Sequence, residues 1–125
     1  MEQNNPTIEI TRKNGVLNLV KIIMPTWNEL GEDNKVYSKI PLLGGLTTYA
    51  MNESDADMAV REAIHCFCVA SEKHGMGLEK EIQCIGWELF SKKEETSTFI
   101  IHSEVTVFEL MMETGHTKAM ELNMN

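Results

Sequence analysis

Apolar and polar positions along the chain divide it into short alternating segments around one helical one. In residues 7–13, Ile8 and Ile10 alternate with polar neighbours, the period-two pattern of a strand with one buried face. Asn14-Gly15 follows, the dipeptide that most readily supplies the two positive φ angles of a type I′ turn, so a hairpin is predicted. Its second arm, residues 16–24, is apolar on both faces, as expected for an interior strand, and Pro25 is expected to end it. Residues 26–34 are polar, contain Gly31 and read as a loop; residues 35–43 resume an extended pattern that Pro41 and Gly44-Gly45 interrupt. Residues 46–51 form a further short strand, which completes an antiparallel meander.

A helix is predicted next. Ser54 is placed to cap it, with Asp57 at the capping-box position, and acids crowd the first turn, where the helix dipole favours them. At a helical period Ala56, Ala59, Val60, Ala63, Ile64, Cys66, Phe67 and Ala70 share one face, with Phe67 as the main anchor. Lys73 and His74 supply a basic last turn and Gly75 a C′ glycine. Residues 81–90 read as a strand with Ile85, Trp87 and Leu89 on one side, and residues 99–107 as another. Residues 91–97 are the nearest thing to a boundary. In the tail, Val107, Leu110 and Met111 form one face of a short helix ending at Gly115, and Met120, Leu122 and Met124 alternate as a closing strand. The fold class expected is α+β: an antiparallel sheet of about four to six strands packed on one main helix, with a short C-terminal helix and strand.

A chain of 125 residues suits one domain, taken as residues 1–125 with a core at 16–90 and an extension at 91–125. Its apolar runs fall short of the roughly 20 residues that span a bilayer. The N-terminus lacks the pattern of a secretory signal, and three cysteines cannot all pair within one chain, so a reducing cytoplasm is the expected setting. The net charge of −8 is uneven: residues 1–51 carry five basic and five acidic side chains, whereas residues 52–90 carry three and eight. Such a surface repels nucleic acid and draws a basic protein.

Residues 36–50 (Val36-Tyr37-Ser38-Lys39-Ile40-Pro41-Leu42-Leu43-Gly44-Gly45-Leu46-Thr47-Thr48-Tyr49-Ala50) are followed by Asn52-Glu53-Ser54 and a helix with Ala56, Ala59, Glu62 and Ala63. This stretch resembles the HicB-type antitoxin domain. With the strands on either side the resemblance covers about residues 16–90. It implies a β-β-β-α-β fold, similar to a partial RNase H-like sheet, that neutralises a small basic RNA-cleaving toxin of the HicA type. Antitoxins of this kind often add a DNA-binding domain that represses their own operon. Residues 91–125 are too few and too acidic for such a module, and the first hairpin strand is an addition, so autoregulation does not carry over.

Candidate chemistry is sparse. Cys66 and Cys68 lie two apart on a helix and point about 200° apart, so they cannot share a metal, and Cys84 has no close thiol. His65, His74, His102 and His116 sit in no nucleophile or zinc-protease motif. Asp55, Asp57 and Glu62 could hold a metal as in nucleases of the RNase H fold, but helix-start electrostatics account for the first two. No catalytic residue, cofactor or metal is therefore expected. Met58, His65 and Val69 stand within about 40° of one another opposite the helix's core face, flanked by Glu62. Either this stripe is covered within the chain or it is a dimer or partner surface. The function expected is that of an antitoxin-like protein that binds a small basic toxin through Met58, Glu62, His65 and Val69 and forms homo-oligomers. The alternatives are a stand-alone regulatory or ligand-binding module and a metal-dependent nuclease. Residues 91–125 offer Lys92, Lys93 and Lys118 against six acids, so duplex DNA upstream of its own gene should not bind at physiological salt. Sub-micromolar binding in a gel-shift titration would refute this.

Overall fold

The computed structural model describes residues 6–101 and 116–124. Seven strands are paired antiparallel: β1 (Thr7–Lys13), β2 (Val16–Leu30), β3 (Val36–Ile40), β4 (Leu46–Ala50), β5 (Trp87–Lys93), β6 (Thr96–Ile101) and β7 (His116–Asn123). They run β4-β3-β2-β1-β6-β5 across the sheet, with β7 also paired to β2. Two helices, α1 (Ala56–His74) and α2 (Leu78–Cys84), follow β4 in the chain. No helix among the described residues is long and apolar enough to cross a membrane.

The first hairpin is the one predicted, with Asn14 at φ 53° and Gly15 at φ 80°. Opposite β1 the register skips Asn18: Thr11 pairs with Leu19 and Arg12 with Leu17. This bulge resets the alternation, so Leu17 joins Val20, Ile22 and Met24 in the core although it lies three residues from Val20. The carbonyl of Asn18 accepts from the backbone N–H of Met124 at 2.9 Å.

Pro25 does not end β2, and residues 26–30, expected as loop, belong to the strand. Pro25 lies beyond the last β1 pair, Thr7 with Ile23, where the loss of one donor costs little, and pairs with Thr117 of β7. The last part of β2, Trp27 to Leu30, pairs with β3, and Asn34 at φ 66° turns the chain between them. Pro41–Leu43 forms a single 3-10 turn and Gly44-Gly45 a bend, as expected from their composition.

Residues 81–90 are not one strand. Leu78 and Ile82, four apart and both buried, form one turn-to-turn face of α2, and only from Trp87 does the chain extend. Residues 91–97 are no boundary; they form the hairpin of β5 and β6, turning at Glu94 with φ 52°. The closing strand is present, with Leu122 buried and Met120 and Met124 packed against the core. The predicted helix at Val107, Leu110 and Met111, and the part of the 99–107 strand after Ile101, lie outside the described residues.

All large buried side chains meet on one face of the sheet. Ile8, Ile10, Val20, Ile22, Phe99 and Leu122 face Val60, Ile64 and Cys68 of α1 and Leu78 and Ile82 of α2. Trp87 closes this core, its indole N–H donating to the carbonyl of Leu42 at 2.8 Å. Beyond it, Val36, Ala50, Ala56 and Ala59 make a second small cluster, where the short alanine side chains bring the start of α1 close to β3 and β4.

Candidate partner-binding surface

The helix buries Ala56, Val60, Ile64, Cys68 and Ser71, with Ala59, Ala63 and Phe67 half-buried beside them. Cys66 and Ala70, expected inward, are exposed, and Phe67 is a flank and not the anchor. The face is turned because the deepest positions follow a four-residue step from Ala56 to Cys68 before closing on Ser71. Burial pushes the Cys68 thiol up to about 12, which keeps it protonated. Cys66 and Cys84 are exposed free thiols.

The start of the helix also differs from expectation. Ser54 does not cap α1; it lies in a 3-10 turn, Glu53–Asp55, that leads into the helix and is capped by Asn52, whose side-chain oxygen accepts from the Asp55 backbone N–H at 3.1 Å and from the Ser54 hydroxyl at 2.6 Å. Asp57 is no capping-box residue but pairs with Lys118 Nζ of β7 at 2.5 Å. One turn on, Arg61 donates to the main-chain carbonyl of Glu121. These two contacts seat β7 against one flank of α1. The stripe of Met58, Glu62, His65 and Val69 runs alongside them. Met58 is 60% exposed, Glu62 and His65 are exposed, and Val69 is half-buried. Asp55 and Glu53 at the helix start extend its acidic flank.

What fixes the helix in this orientation is Arg12. Alternation along β1 puts Arg12 on the same side as Ile8 and Ile10, and its guanidinium reaches carboxylates of both helices. Nε and one terminal nitrogen donate to the two oxygens of Glu79 at 2.7 and 2.6 Å. The two terminal nitrogens donate to the two oxygens of Glu72, each at 2.7 Å, and the fifth N–H reaches the carbonyl of Gly15 at 3.0 Å. Glu72 in turn accepts from the backbone N–H of Leu78 at 3.1 Å, capping α2 from α1. The bonds to Arg12 hold both carboxyls below the usual glutamate range, against a smaller opposing effect of burial. The α1–α2 corner needs Gly75 for space, since its φ of −108° is ordinary while a Cβ there would lie 2.9 Å from the main-chain oxygen of Ser71. It is therefore not the left-handed C′ glycine expected.

A shallow groove of about 660 Å³ lies over β1, β2 and β7, lined by Leu19 and Ile23 and edged by Glu9, Lys21, Glu121 and, from α1, Arg61. Lys21 and Glu121 pair across it at 3.3 Å. Near the β3–β4 end, the rings of Tyr37 and Tyr49 pack at a tilt of 39° with centroids 5.8 Å apart, and the Tyr37 hydroxyl donates to Asp33 at 2.8 Å. That bond lowers the Asp33 pKa and raises that of Tyr37. Among the described residues no three of His, Cys, Asp and Glu come together in a metal-holding group. Asp55, Asp57 and Glu62 in particular diverge, with Asp57 committed to Lys118.

No protein-family model, curated protein or solved structure matches the chain.

The Arg12 cluster generates a stability prediction with a definite pH sign. Arg12→Met should cost about 2–3 kcal/mol at neutral pH, since it strands two half-buried carboxylates, and Arg12→Lys about half of that, because an ammonium keeps the charge and loses the fork. Carboxyls whose folded pKa is lowered stabilise above their unfolded value, about 4.3, and lose that contribution as the pH falls through the folded value. Urea unfolding should therefore show the gap between the native chain and Arg12→Met narrowing as the pH falls below about 4.3. A gap independent of pH would contradict the assignment.

Proposed function

We propose that the chain is an antitoxin-like protein of the HicB type that binds and occludes a small basic protein through the outward face of α1. The observation that carries this reading is the exposure of Met58 on a helix face bordered by Glu53, Asp55 and Glu62, in the part of the chain where acids outnumber bases. A large apolar side chain gains nothing from water, and surrounding carboxylates favour a cationic partner. The three strands followed by α1 within the segment of resemblance support the family reading, whereas α2, set between α1 and β5, departs from the β-β-β-α-β succession. In the sheet, however, β1 and β6 lie between β2 and β5, so a partial RNase H-like arrangement remains a proposal for this chain.

The partner class is an RNA-cleaving toxin, whose basic RNA-binding surface the acidic face would cover. A stand-alone regulatory module of the same fold would use the groove lined by Leu19 and Ile23 instead. The two readings separate at the gene: a short basic reading frame beside it belongs to the first alone.

The test uses that neighbouring product as the probe. Met58→Lys and Glu62→Lys place cations on the exposed face, and both should leave the thermal midpoint within about 2 °C because neither side chain enters the core. Each should weaken binding in calorimetry by about tenfold or more. Val69 is half-buried, so Val69→Glu should lower stability as well as binding. Unchanged affinity in the two lysine variants would sink the reading.

A further inference from the structure

The tip of the first hairpin carries the one asparagine of the chain that precedes a glycine, Asn14-Gly15. Both residues are exposed. They form the two-residue turn between the paired Lys13 and Val16, so the Gly15 N–H lies outside the hydrogen-bond ladder, and a Cβ built at Gly15 would meet nothing within 4 Å. The Gly15 nitrogen is therefore neither tied into the sheet nor screened by a side chain. Asn34 supplies the contrast. It too is exposed, at φ 66° against 53° for Asn14, but it precedes Lys35, whose backbone N–H donates to Asp33 Oδ1 at 3.1 Å.

We propose that Asn14 is a site of spontaneous covalent modification, with water as the only co-reactant, and that the bond from Arg12 to the Gly15 carbonyl sets its rate. In the first step the Gly15 nitrogen bonds to the side-chain carbonyl carbon of Asn14. The C–N bond of the side-chain amide breaks, and ammonia leaves with the proton that the Gly15 nitrogen gives up. Water then adds to one of the two carbonyl carbons of the resulting five-membered imide and breaks one ring C–N bond. Breaking the new bond gives aspartate; breaking the original peptide bond gives isoaspartate. Nothing is oxidised or reduced.

Ring closure brings the side-chain carbon onto the Gly15 nitrogen, which a type I′ turn holds away from it, so opening of the tip controls the reaction. Arg12 opposes that opening. One of its terminal nitrogens donates to the Gly15 carbonyl at 3.0 Å, while the rest of the guanidinium is held by Glu72 and Glu79. The modification acts back on the same contact. Isoaspartate inserts a methylene carbon into the main chain, so the two-residue turn no longer fits and the Gly15 carbonyl leaves Arg12. The aspartate product keeps a turn-compatible Asp-Gly pair but adds a carboxylate to the recess that Asn14 shares with Arg12, Glu79, Lys92, Glu94 and Glu95. None of this depends on whether a basic partner binds α1.

The test is incubation of the full chain at mildly alkaline pH, followed by peptide mass spectrometry with fragmentation that distinguishes isoaspartate from aspartate. In the native chain Asn14 should gain the amide-to-acid mass increment ahead of Asn34 and every other described asparagine. Asn14→Gly, which keeps a turn-compatible Gly-Gly pair, should show no such gain at the tip. Arg12→Met should speed the reaction at Asn14 about tenfold, the worth of one hydrogen bond from a charged donor. Val60→Ala, a core truncation that lowers stability and leaves the Arg12 bonds in place, should not. Arg12→Lys, which keeps a charge near the carboxylates and gives up the fork, carries the same expectation as Arg12→Met where the latter does not fold. The isoaspartate form, separated chromatographically, should unfold at a lower temperature than Asn14→Asp. Asn34 modified as fast as Asn14, or Arg12 variants no faster than the native chain, overturns the proposal.

Discussion

The placement of both helices depends on one arginine. Arg12 spends all five of its N–H donors, four on two carboxylates from different helices and one on the turn of its own hairpin. It reaches them because strand alternation puts it on the core side of β1 with Ile8 and Ile10, while the bulge at Asn18 brings Leu17 of β2 opposite it on the same side. A planar fork with five fixed donors can hold two carboxylates in one orientation, which an ammonium cannot. The cluster is 23–27% exposed at its side chains, wet enough to avoid the full cost of buried charge and dry enough to keep its geometry. Through Glu72 it also caps α2, so the corner between the helices and the seat of α1 on the sheet depend on the same contacts.

The two described helices pack on the core side of the sheet, so α1 has one face against the core and another that is exposed at Met58, Glu62 and His65. Its inner face is small at the start, with Ala56 and Ala59 on Val36 and Ala50, and larger beyond, with Val60 and Ile64. Its outer face gathers Met58 and acids, while Asp57 and Arg61 bind β7 at its flank. The functional reading thus rests on packing: what the core does not use, and β7 does not cover, is an acidic face with an exposed methionine.

Much of this was legible in residue order. Asn14-Gly15 could hardly specify anything but a tight hairpin, and the long helical period around Val60 and Ile64 outweighed every local alternative. The failures have physical causes. Pro25 looked like a terminator because its missing donor is costly in a central strand, yet β1 has already stopped pairing at that point. The short helix α2 was hidden by its length, since seven residues give one buried pair and no lasting period. Cys66 and Cys68 exchanged faces because alanine and cysteine line both sides of α1 and fix its rotation weakly. The Arg12 cluster had no local signal at all; Glu72 and Glu79 lie 60 and 67 residues from Arg12 and meet it only once the helices pack over the sheet. The stripe of Met58, Glu62, His65 and Val69 was found by the helical wheel, although Val69 proved half-buried.

The claim that the outward face of α1 is the docking surface is tested most directly by amide chemical-shift mapping of the labelled chain during titration with the small basic protein encoded beside it. The account predicts shifts and line broadening concentrated at Met58, Glu62, His65 and their neighbours on α1, with Leu19, Ile23 and Ala119 around the groove over β1, β2 and β7 unmoved. Perturbations confined to that groove, with α1 silent, would contradict it.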